Sequence, residues 1–392
     1  MNKYLSLALV ALAVVLALAS GCKSKQEKES LWGVYQEPIK PEALPKDSGA
    51  RELQIVWKKN IGGGASVGFA LLKPVYYQGN IYVANRTGKV FSFDSQTGAA
   101  QWTRDLKTPI FSAIGVNDNF AVVTHDNGDV TALHANDGSV AWKTSLKHQI
   151  SAVPVIGKER VLIRTADGLM IGMDMRTGDI VWRIKKTTPG LSVHGDSMPV
   201  ITGDAVLAGL ANGRLIANNV INGSDYWETE IARIRGQDEL ERLIDSDAAP
   251  IVQGATVYAA TYQGSVVALQ LQNAAVNWRT KISTRLPMAI SQQHLFVTDE
   301  LGAVIALNIT DGSIVWEQPA FRGHGISRPV VLNDRVIVGD SSGRIHTLDS
   351  ASGDRVESKK VVSGAIVGII TADAQVAVFS SAGNIAALTL LH

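Results

Sequence analysis

A short pattern of apolar and polar residues recurs along most of the chain, and each copy begins at a glycine. An apolar residue stands two positions after the glycine, a small one four positions after it, and usually a large apolar one next, as in Val130, Ala132 and Leu133. Alternation of this kind over about six residues is typical of a half-buried strand. The pattern therefore predicts a repeated β-strand. Its leading glycines are Gly88, Gly128, Gly168, Gly213, Gly264, Gly302, Gly343 and Gly383.

Each copy lies within a longer unit that predicts four strands. An apolar run precedes the glycine-led strand, and a proline followed by an apolar residue, such as Pro154 and Val155, precedes that run. After the strand comes a turn ending in glycine and then a tryptophan four residues later, as in Gly138 and Trp142. Thr, Asn or Asp before such a glycine favours a tight hairpin, because glycine readily adopts positive φ. Units of about forty residues with four short strands match the blades of a β-propeller.

The two ends of the chain complement each other. Only residues 389–392 follow the last glycine-led strand, so the eighth unit has no fourth strand of its own. Residues 53–57 have the pattern of that strand, with Trp57 in the repeat position. Pairing of the two ends would remove two open sheet edges. We therefore predict an all-β fold, an eight-bladed β-propeller of four-stranded antiparallel blades whose ring is closed by the N-terminal strand, forming one domain over residues 51–392.

Seven tryptophans occupy the repeat position, and we expect each to pack between adjacent blades, because burial suits a large aromatic side chain. The seventh unit carries Glu357 instead. Five aspartates at strand ends are expected to cap turns. The tryptophans are Trp57, Trp102, Trp142, Trp182, Trp227, Trp278 and Trp316, and the aspartates are Asp94, Asp137, Asp174, Asp311 and Asp349.

The N-terminal residues predict a secretory signal. Lys3 precedes an apolar run at residues 5–18 that is too short for a comfortable transmembrane helix, and small residues follow at 19–21. Cys22 comes next and is the only cysteine of the chain, so it has no partner for an internal disulfide. Residues 19–22 resemble a bacterial lipoprotein box, although Ala19 stands where leucine is commonest. An ordinary signal peptide with an incidental cysteine is the alternative.

The lipoprotein resemblance implies cleavage before Cys22 and acylation of that residue. Several acyl chains would hold the protein firmly at a membrane. Lys23, in place of Asp, implies transport to the outer membrane, at its periplasmic face. Residues 22–50 are rich in Lys, Glu, Ser and Pro and predict a flexible tether. The expected organisation is a signal peptide at residues 1–21, an acylated tether at 22–50 and the propeller at 51–392.

Composition and motifs argue against nucleic acid and against catalysis. The 37 Lys and Arg are balanced by 36 Asp and Glu, and nucleic-acid affinity comes mainly from neutralising phosphates. The eight histidines are scattered, and no metal-binding or nucleophile motif appears. We expect His125, His134 and His346 to be structural, and no catalytic residue, cofactor or metal. The short connections between most blades also predict no deep covered pocket.

The spacing between successive leading glycines is longer than usual in two consecutive intervals, from Gly168 to Gly213 and from Gly213 to Gly264. The extra residues fall in connections between blades, at residues 185–197 and 231–247, and connections of this type share one face of a propeller. Insertions into a repeat commonly mark the binding face. A tolerated, solvated surface loop is the alternative on spacing alone.

The lipoprotein box, the eight repeats and the two stretched segments together are similar to the BamB family over essentially the whole chain. The residues that carry this resemblance are PGLSVHGDS at 189–197 and ERLIDSD at 241–247. The family consists of lipoproteins of the outer-membrane β-barrel assembly (BAM) machinery. The resemblance implies a non-catalytic scaffold that binds the periplasmic POTRA domains of BamA and assists insertion of outer-membrane proteins. Whether nascent outer-membrane proteins also bind stays open.

The resemblance also implies which residues bind the partner. Leu191 and Val193 would make apolar contacts, whereas Asp245 and Asp247 would pair with a basic group or with backbone amides. His194 stands where the family often has arginine. That departure weakens the expected charge-paired contact near neutral pH, because an unperturbed histidine is mostly uncharged there.

An enzyme is the main rival interpretation. The repeat resembles that of the eight-bladed quinoprotein dehydrogenases, which implies a periplasmic enzyme dependent on pyrroloquinoline quinone (PQQ). That family carries calcium ligands and usually a pair of adjacent cysteines near the quinone, and this chain has no cysteine besides Cys22. A polysaccharide binder and a receptor-like lipoprotein also remain open, without specific residues in their favour.

Overall fold

The computed structural model describes residues 39–44, 46–64, 72–186, 197–232 and 248–391. Within these residues, 32 strands form eight antiparallel sheets of four strands each. We number the sheets as blades in chain order. In each of blades 1 to 7, the order along the chain is also the order across the sheet. The predicted eight-bladed propeller is confirmed.

The strands have the following bounds. Strand β1 (Leu53–Asn60) precedes blade 1, which contains β2 (Val75–Tyr77), β3 (Asn80–Ala84), β4 (Lys89–Asp94) and β5 (Ala100–Asp105). Blade 2 contains β6 (Gly115–Val116), β7 (Phe120–Thr124), β8 (Asp129–His134) and β9 (Val140–Ser145); blade 3 contains β10 (Val155–Gly157), β11 (Arg160–Arg164), β12 (Leu169–Asp174) and β13 (Ile180–Lys185). Blade 4 contains β14 (Val200–Thr202), β15 (Ala205–Gly209), β16 (Arg214–Asn219) and β17 (Asp225–Glu230); blade 5 contains β18 (Ile251–Gln253), β19 (Thr256–Ala260), β20 (Val266–Gln270) and β21 (Val276–Thr280).

The remaining blades follow the same plan. Blade 6 contains β22 (Ala289–Ile290), β23 (His294–Thr298), β24 (Val304–Asn308) and β25 (Ile314–Gln318), and a short 3-10 helix (Pro319–Phe321) follows it. Blade 7 contains β26 (Val330–Leu332), β27 (Arg335–Gly339), β28 (Arg344–Asp349) and β29 (Arg355–Lys360). Blade 8 contains β30 (Ile366–Ala372), β31 (Gln375–Ser380) and β32 (Asn384–Leu390), and β1 is its fourth strand. First strands of neighbouring blades contact one another, as β2 does with both β6 and β30, so they form the inner wall of the ring.

The small residue of each glycine-led strand lies directly opposite the repeat tryptophan of the same blade. Ala132 of β8 is the cross-strand partner of Trp142 in β9, and Gly172 of β12 is that of Trp182 in β13. A Cβ at Gly172 would lie 2.1 Å from the Trp182 ring. The residue at this position is therefore small because the indole of the neighbouring strand lies directly opposite it.

Each tryptophan also reaches to the next blade. The Trp142 indole Nε1 donates a hydrogen bond to the Met175 carbonyl at 2.9 Å, and its ring lies against Gly178, the turn glycine of blade 3. The same hydrogen bond occurs for all seven repeat tryptophans, so the prediction that they pack between blades is confirmed. Their acceptors, in chain order of the tryptophans, are the carbonyls of Ser95, Ala135, Met175, Val220, Leu271, Ile309 and Ser350.

Apolar clusters fill the space between neighbouring blades. In one of them, Val122 and Trp142 of blade 2 pack with Val161 and Ile171 of blade 3. The turns that frame these clusters are capped as expected: each of the five predicted aspartates accepts a hydrogen bond from a backbone amide two residues further on. Capping lowers the pKa of Asp94, mainly through the Thr97 hydroxyl.

Strand β1 closes the ring as predicted. It pairs with β32 from Leu53 opposite Leu390 to Asn60 opposite Asn384. Because the two strands come from opposite ends of the chain, no hairpin turn joins them, and blade 8 offers no turn glycine to a tryptophan of blade 7. Glu357 stands in that place, buried, and accepts hydrogen bonds from the amides of Glu52 at 2.8 Å and Leu53 at 2.7 Å. The carboxylate therefore holds the start of the closing strand.

Part of the predicted tether lies along blade 7. Ser48 donates from its amide to the Arg355 carbonyl at 3.2 Å and from its hydroxyl to the Val356 carbonyl at 2.9 Å. The Asp47 carboxylate accepts from the Ser358 amide at 3.2 Å. These bonds hold residues 47 and 48 beside strand β29. Residues 1–38 lie outside the described residues, and the division of the chain into signal, tether and propeller stays a prediction.

Replacing Trp142 with alanine is expected to lower the free energy of unfolding by about 3–5 kcal/mol, because it opens a cavity between blades 2 and 3. Trp142→Phe retains a ring but leaves the Met175 carbonyl without its donor, and it should cost about 1–3 kcal/mol. Chemical denaturation followed by circular dichroism measures both values. A loss below about 1 kcal/mol for the alanine variant would contradict the inter-blade role.

Glu357→Gln is expected to loosen the closing strand. An uncharged amide oxygen replaces the carboxylate, and hydrogen bonds to charged groups contribute about 1.5–3 kcal/mol. Amide hydrogen exchange at Glu52 and Leu53 should accelerate more than exchange in blades 2 to 5. Glu159→Gln, at a side chain that is 67% exposed, is the matched control and should leave exchange unchanged. Equal protection of Leu53 in both variants would show that Glu357 does not hold the strand.

Candidate functional site

The two long connections lie on one face of the propeller. The first joins β13 of blade 3 to β14 of blade 4, and the second joins β17 of blade 4 to β18 of blade 5. Because strands within a blade are antiparallel, these connections share a face with the turns between second and third strands. The Lys186 amide, for example, donates to the carbonyl of Gly168 in such a turn at 3.1 Å. We call this side the connection face.

The predicted partner-binding residues belong to these two connections. They are Leu191, Val193, His194, Asp245 and Asp247, and all five lie outside the described residues, as does the predicted lipidation site Cys22. Their roles therefore stay predictions. The structure describes the blade residues from which both connections start and to which they return.

Charged side chains hold the start of the first connection. The Lys186 ammonium lies 3.1 Å from the Asp225 carboxylate and 3.2 Å from that of Glu228, both on strand β17 of the next blade. Glu228 also accepts from Arg214 at 2.5 Å. Burial opposes the charge of Lys186, but the two carboxylates outweigh it and raise its pKa, while Lys186 lowers the pKa of Asp225. The exit from blade 3 is thus tied to the outer strand of blade 4.

The end of the first connection and the start of the second are also fixed. The Arg164 guanidinium donates to the Ser197 carbonyl at 3.1 Å. Ile231 is fully buried, its amide donates to the Gly213 carbonyl at 2.9 Å, and its carbonyl accepts from Arg279. Both stretched connections therefore emerge from rigid positions on blades 3 to 5.

A cavity of about 440 Å³ lies at the centre of the ring. Its lining comes from all eight blades and is mostly apolar, with Val153, Met198 and Met288 among the residues. The first strands and the residues before them build this cavity, so it does not depend on the connections, which the sequence predicts to be mostly too short to build a deep covered pocket. Met198 and Ala249 in the lining follow closely on the two long connections.

The histidines predicted to be structural have structural surroundings. Buried His125 contacts the Pro109 carbonyl at 3.0 Å and the Thr131 hydroxyl at 2.9 Å, and exposed His134 lies beside the Phe120 ring. His346 is fully buried, with its Nε2 3.0 Å from the Asp340 carboxylate. In the part of the chain that the structure describes, no three His, Cys, Asp or Glu side chains are grouped to hold a metal ion.

The Asp340–His346 pair is the most strongly perturbed of these groups. Burial lowers the pKa of His346. Burial would raise the pKa of Asp340, but hydrogen bonds from His346, the Arg344 amide and Ser342 outweigh it and hold the pKa far below its ordinary range. Because Ser342 and Arg344 belong to the turn that Asp340 begins, the carboxylate caps this turn, and the pair has a structural use.

Sequence reasoning missed Arg328, a cationic residue of the cavity lining whose Nε has no hydrogen-bond partner among the described residues. A signal was present in the repeat. The residue directly before the proline that opens a blade is apolar at Val153, Met198 and Ala249, but cationic at Lys73 and Arg328. Alignment of the repeat units at that proline would have singled out both positions.

Comparison with known proteins decides the family. The sequence model of the family described as outer membrane protein assembly factor BamB matches residues 47–123, 86–318 and 284–391. This chain belongs to the BamB family. BamB of Yersinia pestis is 28% identical over 388 residues, which cover 96% of this chain and 97% of that protein. BamB of Escherichia coli K12 is 26% identical over 385 residues, which cover 95% of this chain and 96% of that protein.

Solved structures agree on the fold. The crystal structure of BamB from Moraxella catarrhalis superimposes with a TM-score of 0.80 at 23% identity, covering 86% of this chain and 99% of that one. A europium-containing methanol dehydrogenase has the same propeller fold, with a TM-score of 0.70 at 13% identity over 86% of this chain and 93% of that enzyme. Across the residues with described coordinates, no helix is long and apolar enough to cross a membrane.

Asp340→Asn is expected to destabilise the protein by about 1–3 kcal/mol at pH 7, because it removes the charged acceptor of a buried pair. The lowered pKa of Asp340 means that its contribution is present above the unfolded value near pH 4 and is lost as the pH falls further. The difference between wild type and variant should therefore shrink below about pH 4. Denaturation midpoints from pH 7 to pH 2 measure this. Asp311→Asn removes an exposed turn cap whose pKa is also lowered, by Ser313, and it should cost less at pH 7 than Asp340→Asn because no buried pair is broken. A gap for Asp340→Asn that is independent of pH would contradict the assignment.

Proposed function

We propose that this protein is a non-catalytic scaffold of the machinery that assembles β-barrel proteins into the outer membrane. Membership of the BamB family, matched from residue 47 to residue 391, is the observation that carries this proposal. A rigid ring with two long connections on one face suits a scaffold, since insertions into a repeat commonly form its binding face.

The proposed partner is BamA, through its periplasmic POTRA domains. Leu191 and Val193 would fill apolar contacts on the partner, and Asp245 and Asp247 would accept from a basic group or backbone amides. His194 replaces the arginine frequent in the family, so this position contributes less charge at neutral pH. In support, the blade residues next to both connections are held in place, by Lys186 and Arg164 for the first and by Ile231 for the second. Fixed ends reduce the ordering cost of binding.

The proposed location is the periplasmic face of the outer membrane. Acylation of Cys22 would anchor the chain, and residues 23–38 would span the distance to the propeller. Residues 47 and 48 are hydrogen-bonded to blade 7, on the far side of the ring from blades 3 and 4. The described part of the tether therefore lies away from the blades that carry the two long connections.

A double charge reversal tests the partner proposal. Asp245→Lys with Asp247→Lys is expected to abolish copurification with BamA, because the new cations repel a basic partner surface. The matched control is Glu159→Lys with Asp204→Lys, whose side chains are 67% and 70% exposed in turns of blades 3 and 4 on the opposite face. Both double variants should keep the circular dichroism spectrum and melting temperature of the wild type. Retained copurification of the first variant would remove this site.

The enzyme alternative has its own measurement. Calcium needs oxygen ligands, commonly carboxylates, and the described lining of the central cavity contains no Asp or Glu. We therefore expect calorimetry with PQQ and calcium to show no saturable binding. Binding together with dye-linked dehydrogenase activity would overturn the non-catalytic proposal.

A further inference from the structure

The central cavity has the shape and chemistry of a small-molecule site. Its volume of about 440 Å³ lies within the range of about 300–1,000 Å³ that is usual for ligand pockets. Many of its lining residues stand at or just before the first strands, so the cavity lies toward the connection face. Its walls include Val153, Met198, Pro250, Met288, Val330 and Ile370.

Two charged side chains, Lys73 and Arg328, occur in the described lining, and both are cationic. The Arg328 Nε is shielded from solvent and has no hydrogen-bond partner. Desolvation is the cause that lowers the pKa of Arg328, and no acidic side chain among the described residues contributes. An arginine remains protonated in a protein nonetheless. Among the described residues, no carboxylate pairs with this guanidinium, which lies beside apolar walls.

Such an arrangement costs stability unless something else compensates for it. Buried charges in proteins are normally paired, because removing a lone ion from water is expensive. Two half-buried cations of this propeller follow that rule: Lys186 lies against two carboxylates, and Arg335 lies 3.0 Å from Glu52. Arg328 departs from it at the cavity wall, where a ligand could reach it.

We propose that the central cavity binds a small amphiphile with one oxyanion group, held by the Arg328 guanidinium, and an apolar body packed against the inner walls of the blades. The planar fork of arginine matches both carboxylate and phosphate oxygens. The oxyanion could therefore belong to a fatty acid or to an alkyl phosphate. The proposal makes no use of Asp245 or Asp247, so its failure would leave the partner proposal intact.

Calorimetric titration of the purified protein with octanoate, octyl phosphate and octanol tests the proposal. The two anions are expected to bind saturably and at least about tenfold more tightly than the neutral alcohol, a difference of about 1.4 kcal/mol. Titration into the same buffer and detergent without protein is the blank. Tighter binding of octanoate or of octyl phosphate identifies the source of the oxyanion.

Variants assign the anion selectivity to one side chain. Arg328→Met keeps the apolar stem and should reduce octanoate affinity by about tenfold or more, to the level of octanol. Arg328→Lys should retain part of the selectivity. Arg176→Met, an exposed arginine in a turn on the opposite face, is the matched control and should bind as the wild type does. The melting temperature of Arg328→Met should not fall, because the variant removes a partly desolvated charge that has no carboxylate partner among the described residues.

Two results would overturn the proposal. One is the absence of saturable binding by both anions to the wild-type protein, or equal affinity for octanoate and octanol. The other is unchanged octanoate affinity in Arg328→Met. The first comparison needs no variant, so it stays decisive even where Arg328→Met fails to fold.

Discussion

The contact between a tryptophan of one blade and the hairpin turn of the next holds this propeller together. The indole N–H donates to a turn carbonyl, the ring covers the turn glycine, and a small residue of the same blade lies opposite the ring, as Trp142 shows with Met175, Gly178 and Ala132. Three positions are thus constrained by one side chain. The indole hydrogen bond recurs seven times, and the contact with a turn glycine six times, because Ala274 replaces the glycine in blade 5. Each blade is therefore positioned by its neighbours.

Closure of the ring is the one place where this contact cannot form. Blade 8 is assembled from both ends of the chain, so it lacks the turn that a tryptophan of blade 7 would cover. Glu357 takes over by accepting from the amides of Glu52 and Leu53. A carboxylate suits this task because the start of a strand presents backbone donors, whereas a turn presents a carbonyl to an indole N–H.

Both segments that depart from the repeat spacing lie on the connection face of the ring. The two long connections start from blade residues held by Lys186 and Ile231, and the central cavity with Arg328 lies beside their return points at Met198 and Ala249. A scaffold built this way would offer a partner two long connections that start from a fixed base. The proposed anion site in the cavity is not required by the repeat pattern, and it depends on a guanidinium that has no carboxylate partner among the described residues.

The sequence by itself determined the blade count, the strand order, the closure by residues 53–57 and the two stretched intervals, because all of these follow from the spacing of repeated residues along the chain. It did not show what packs against the small residue of each glycine-led strand, or which groups Glu357 binds. Gly138 and Trp142 are four residues apart in the sequence, yet the Trp142 indole contacts Gly178 of the next blade. Likewise, Arg328 becomes a candidate site only when eight inner strands converge around it. Both facts concern residues that are distant in the chain and adjacent in space, and only tertiary packing decides those.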